Sequence, residues 1–187
     1  LLGTVSTGFL AFYLTRDRSA GTVEVRPTPS MLVAIQDLSR LECTEVHVEK
    51  VIDLSDKQKI LGWVETEDAL LLVASGSAIV GVDFEKLRPG DVSFDETTKT
   101  ARLKLPPPEL LSSRLDPDAT YVYKRSTGLL AERNEQLESR GRKEAIVAIE
   151  KVANSSDTMT RAKRQAERQL TSLLKELGAK NVEITWR

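Results

Sequence analysis

The chain is poor in the residue types that carry most recognisable chemistry. Of its 187 residues, one is cysteine, one is histidine and only 5% are aromatic. A single Cys43 excludes an internal disulfide, and one thiol does not decide the compartment. No glycine-rich phosphate loop, zinc-type Cys/His spacing or nucleophile elbow occurs. A His-dependent mechanism would have His47 as its one candidate. His47 follows Cys43 by four residues, so in a regular strand both would project from one face, where thiolate and imidazole could pair. Glu45 and Glu49 share that face, however, and give it the character of a solvated strand side.

What the chain does have is an uncharged opening. Leu1 to Thr15 contains no charged side chain before Arg16-Asp17-Arg18. As a helix it would be about 22 Å long, against about 30 Å for a hydrocarbon core, so it reads as the C-terminal part of a transmembrane anchor. A cleaved signal peptide and a buried helix are the alternatives. The aromatics near its end, Phe9, Phe12 and Tyr13, favour the anchor. Residues 16–30 read as a polar linker and residues 31–187 as one α+β domain. The reading places the protein in the cytoplasmic membrane as a single-pass chain, with its soluble domain outside the cytoplasm. Arg16 and Arg18 argue the other way under the positive-inside rule.

Charge divides along the sequence. Residues 31–123 carry 10 Lys/Arg against 17 Asp/Glu, whereas residues 124–187 carry 14 against 9. In the C-terminal third the cations alternate with Glu at helical spacing, the pattern of a solvated helix face.

Periodicity predicts a helix over Met31–Leu41 and then a strand from Glu45 that stops near Asp53. Two apolar runs, Ala69–Val73 and Ala78–Val82, flank Ser75-Gly76-Ser77 and read as a hairpin. Phe84–Leu87 suits one helical turn. Val92–Phe94 and Ala101–Leu105 form a second hairpin around Asp95–Thr98. Three prolines, Pro106 to Pro108, interrupt the pairing. Strands follow at Leu110–Leu115 and Tyr121–Tyr123, separated by the turn Asp116-Pro117-Asp118.

Helical periodicity begins near Gly128, with Leu130, Leu137, Gly141, Ala145, Ala148, Ile149 and Val152 on one stripe. After Asn154-Ser155-Ser156-Asp157 a second helix carries Met159, Ala162, Ala166, Leu170, Leu173, Leu174 and Leu177, and Gly178 ends it. A last strand alternates Val182, Ile184 and Trp186. The sum is a mainly antiparallel sheet packed by two C-terminal helices, with the final strand returning to the sheet.

The ordered segments LLLVASGSAIVGVDFEKL, RLKLPPPELLSSRLDPD, TYVYKRSTGLL and RAKRQAERQLTSLLKELGAKNVEITW resemble the bacterial family catalogued as domain of unknown function 4230, over residues 42–186. That resemblance implies a single transmembrane helix followed by one domain, and it transfers no catalytic residues. A looser fold-level analogy to band-7 or stomatin-like domains adds an expectation of self-association.

The leading expectation is therefore a membrane-anchored binding or scaffold domain that is not an enzyme, has no catalytic, cofactor or metal residues, and meets a protein partner or a second copy of itself. A hydrolase or small-ligand enzyme would have to gather Asp83, Asp116 and Asp118 in one pocket. A module for anionic lipid or nucleic acid would use Arg140, Arg142, Lys143, Arg161, Lys163 and Arg164. Of these two partners, nucleic acid is not expected.

Overall fold

The computed structural model describes Ile35 and residues 38–187. The expected anchor, the linker and most of the helix over Met31–Leu41 lie outside the described residues. Ile35 is helical and buried, but Arg40 and Leu41, assigned to that helix from sequence, already belong to a strand.

The fold is α+β. Strands β1 (Arg40–Ile60) and β2 (Val64–Asp83) form one long antiparallel hairpin. A single 3-10 turn, Phe84–Lys86, leads to β3 (Val92–Asp95), β4 (Thr100–Leu105), β5 (Glu109–Leu115) and β6 (Tyr121–Thr127). Helices α1 (Gln136–Ala153) and α2 (Ser156–Glu176) follow, and β7 (Asn181–Trp186) closes the chain.

The strands divide into two sheets rather than the one expected. In the first, β2 pairs with β1 along one edge, and with both β5 and β6 in succession along the other. In the second, β4 lies between antiparallel β3 and parallel β7. The parallel pair is possible because α1 and α2 supply the crossover length that a parallel connection needs. Arg187 pairs with Asp91 and donates to the Lys86 carbonyl at 3.0 Å, fastening the β7 end beside the 3-10 turn.

The expected turn at Ser75-Gly76-Ser77 is instead the middle of β2. The small residues mark the level at which β5 gives way to β6 along its edge. The corner between those strands bonds back to Ser75: Thr120 Oγ1 donates to the Ser75 carbonyl at 3.0 Å, as does the Asp116 amide at 2.9 Å. Gly76 has a reason of its own to lack a side chain. A Cβ there would stand 2.4 Å from the Arg114 carbonyl and 2.6 Å from Ile149 Cδ1 of α1. The real hairpin turn is the three-residue loop Leu61-Gly62-Trp63, closed by the pair Ile60 and Val64, in which Leu61 and Gly62 have φ of 54° and 77°. Both lie in the left-handed region that glycine adopts freely and leucine rarely does.

Both helices cover one face of the first sheet, and α2 reaches on to β7 of the second. Even-numbered residues of β2, among them Leu70, Leu72, Ala74, Ala78, Val80 and Val82, point inward and are buried. The inward stripe of α1 is Leu137, Gly141, Ala145, Ile149 and Ala153, and that of α2 is Thr158, Ala162, Ala166, Leu170 and Leu174. Leu130, expected on the α1 stripe, lies before the helix and is exposed, because α1 starts only at Gln136. Ser155 caps α2 by accepting from the Thr158 amide, and Gly178 (φ 101°) follows it, as expected.

Candidate functional site

The face of the first sheet turned away from the helices is open, and strand register decides what it displays. Side chains directly opposite on neighbouring strands lie about 5 Å apart. Five rows therefore cross β1, β2 and the strand beyond. They are Glu45, Ile79 and Ser112; His47, Ser77 and Arg114; Glu49 and Ser75 at the corner; Val51, Val73 and Tyr121; and Asp53, Leu71 and Lys124.

The second row opens a cleft of about 230 Å3, lined by His47, Ser75, Gly76, Ser77, Arg114, Leu115, Asp116 and Pro117. The last row lines another of about 210 Å3, with Asp53, Leu71 and Lys124 in its walls. Between them lies the apolar row, in which Val51 is 58% and Tyr121 51% exposed. The face thus alternates polar cleft, apolar bridge and charged cleft along the hairpin.

Within the first cleft, Arg114 forms no ion pair among the described residues and its guanidinium is free to donate. His47 Nε2 lies 3.8 Å from Glu45 Oε2. Asp116 is partly engaged by its own turn, since Oδ1 accepts from the Asp118 amide at 2.9 Å and the Ala119 amide at 3.2 Å. No hydrogen bond joins His47 to Ser77. The row offers donors beside acceptors, which suits holding a polar segment or ligand.

The sequence candidates scatter. Cys43 and His47 do not share a face, because a bulge between Glu42 and Thr44 inserts one residue and reverses the alternation. Cys43 turns inward against the core, where burial pushes its thiol up to about 11. His47 stays outward. Asp116 lines the His47 cleft, whereas Asp83 accepts from the Glu85 amide at 3.0 Å at the start of the 3-10 turn. Asp83 is eight residues of strand from Ser75, against which Asp116 sits, or roughly 26 Å. Asp83, Asp116 and Asp118 therefore form no common pocket. Among the basic candidates, Arg142 is tied to Glu138 at 2.9 Å, and Lys163 stands 5.5 Å over the Trp186 ring. Arg140 and Lys143 are exposed on α1, and Arg161 and Arg164 on α2.

Periodicity gave no sign of a buried ionic knot on the inner face. Asp68 is fully buried and accepts from Arg125 Nη2 at 2.6 Å, Thr127 Oγ1 at 2.8 Å and the Asn134 amide at 2.8 Å. Arg125 Nη2 also donates to the Asn134 carbonyl at 2.8 Å, and Asn134 Oδ1 accepts from the Gln136 amide at 2.9 Å. These bonds fasten residues 128–135 over the hairpin and start α1. The Arg125 bond, aided by the Asn134 and Thr127 donors, outweighs burial and holds the Asp68 carboxyl down to about 2. Every donor on that carboxylate is structural, so the knot positions the fold.

Among the described residues, no group of His, Cys, Asp and Glu could hold a metal ion, and no helix is long and apolar enough to cross a membrane. No curated protein and no solved structure matches the chain. Residues 34–184 match the family described as "Protein of unknown function (DUF4230)", and the chain belongs to that family.

Proposed function

We propose that this chain is a membrane-anchored binding domain that holds its partner on the open face of the long sheet. The observation that carries this reading is the register-built sequence of rows, from His47, Ser77 and Arg114 through Val51, Val73 and Tyr121 to Asp53, Leu71 and Lys124. A half-apolar strip flanked by free donors and acceptors is the anatomy of a recognition surface, with a centre to desolvate and a rim to orient. The uncharged run Leu1–Thr15 supports the anchor.

Two experiments test the two halves of this reading. The full chain should stay with membranes through an alkaline carbonate wash and leave them only in detergent. Recovery in the wash would overturn the anchor. A tagged full chain solubilised in mild detergent should retain a partner that the double variant Val51→Lys, Arg114→Glu loses. Equal recovery with both would move the binding surface elsewhere.

A further inference from the structure

We propose that the solvent face of α2 is a docking surface for the anionic headgroups of the bilayer, an inference that rests on the anchored reading above. Arg161, Arg164, Arg168, Ser172 and Lys175 are all exposed. At about 100° per residue they fall within an arc of roughly 80°, opposite the buried Ala162, Ala166 and Leu170. The stripe runs about 21 Å along the helix.

Its four cations outnumber the two acids beside them, Asp157 and Glu167. Arg161 pairs with Asp157 at 3.2 Å, and Arg168 bonds the neutral Gln165. Arg164 and Lys175 form no ion pair among the described residues. Glu167 borders the stripe beside Arg164 and Arg168, and its carboxylate is engaged by Trp186 Nε1, from which it accepts at 2.7 Å.

Charge complementarity selects the bilayer as occupant, because clustered cations beside a membrane are attracted to anionic lipid. Docking on α2 would lay the helix layer toward the membrane and leave the open sheet face turned to its partner.

The test uses the full chain with Cys43→Ser and Ser172→Cys, the new thiol carrying a fluorophore. It is reconstituted into vesicles of phosphatidylcholine alone or mixed with phosphatidylglycerol, each containing a headgroup-linked quencher. Quenching is expected only with phosphatidylglycerol, reversed by high salt. Arg164→Gln with Arg168→Gln should lower the docked-to-undocked ratio about thirtyfold, at about fivefold per cation, with an unchanged circular dichroism spectrum. Equal fluorescence in both lipids overturns the proposal. So does a chain that stays undocked on anionic vesicles yet binds duplex DNA in detergent. A chain washed from phosphatidylcholine vesicles by carbonate defeats the anchored reading alone. Its sedimentation with anionic but not neutral vesicles then still supports the stripe, and failure to sediment overturns it.

Discussion

Replacing Arg125 by Met would strip the buried Asp68 carboxylate of its only cation among the described residues. Asp68 is fully buried, and Arg125 supplies its shortest bond at 2.6 Å. Breaking a buried pair from one side costs about 3–5 kcal/mol, because the remaining charge is left uncompensated. For a domain of this size that is a fall in Tm on the order of 10 °C. Thermal and urea denaturation followed by circular dichroism would measure it.

The pH dependence identifies the cause. In the native protein the Asp68 carboxyl is depressed to about 2 from 3.8. A depressed acid contributes stability that is fully present above its unfolded pKa and is lost as pH falls through the folded one. In Arg125→Met the largest depressing influence is gone and burial raises the pKa. The variant's Asp68 then protonates at higher pH, and its deficit relative to the native chain should shrink as pH falls from that raised pKa to the native value of about 2. The double variant Asp68→Leu, Arg125→Met should recover much of the lost stability, since no charge remains buried. A loss under about 1 kcal/mol, or a deficit independent of pH, would refute the role given to the knot.

Three further outcomes follow from the fold. Gly76→Ala should destabilise by about 1–3 kcal/mol in urea denaturation, because its Cβ meets backbone at 2.4 Å and a core side chain at 2.6 Å. Leu61→Asn should raise the urea midpoint, by about 0.5–1 kcal/mol of stability, since Leu61 is 81% exposed in a left-handed conformation that Asn tolerates better. Cys43 should react with iodoacetamide at neutral pH about 100-fold more slowly than a free thiol, as its pKa near 11 predicts. Modification at the free-thiol rate would show that Cys43 is not held inward.

Much of the fold was legible because its elements repeat with a clean period. The two helices show their stripes, Ser155 and Gly178 bound the second of them, and Val182, Ile184 and Trp186 alternate as the last strand. The long hairpin is hidden in the sequence for a physical reason. Its turn, Leu61-Gly62-Trp63, lacks the Asn or Asp that usually signals a hairpin turn and sits inside the apolar run Ile60–Val64. Ser75-Gly76-Ser77 carries turn-like composition because a neighbouring corner and α1 press against it. The candidate face was half legible. His47 and Asp116 stood out singly, but their meeting depends on register across three strands, and a one-residue bulge sent Cys43 the other way. Asp68 looked like one acid among many, and only tertiary pairing with Arg125 singles it out.

The central claim is that a partner sits on the open sheet face of a membrane-bound chain, and site-specific photocrosslinking in intact membranes tests it most directly. A photoreactive residue at Val51 or Tyr121 should give one defined crosslinked product, abolished by Arg114→Glu, while the same residue at Lys143 on α1 should not give it. Identical products from all three positions, or none from Val51 and Tyr121 in a correctly folded chain, would contradict the account.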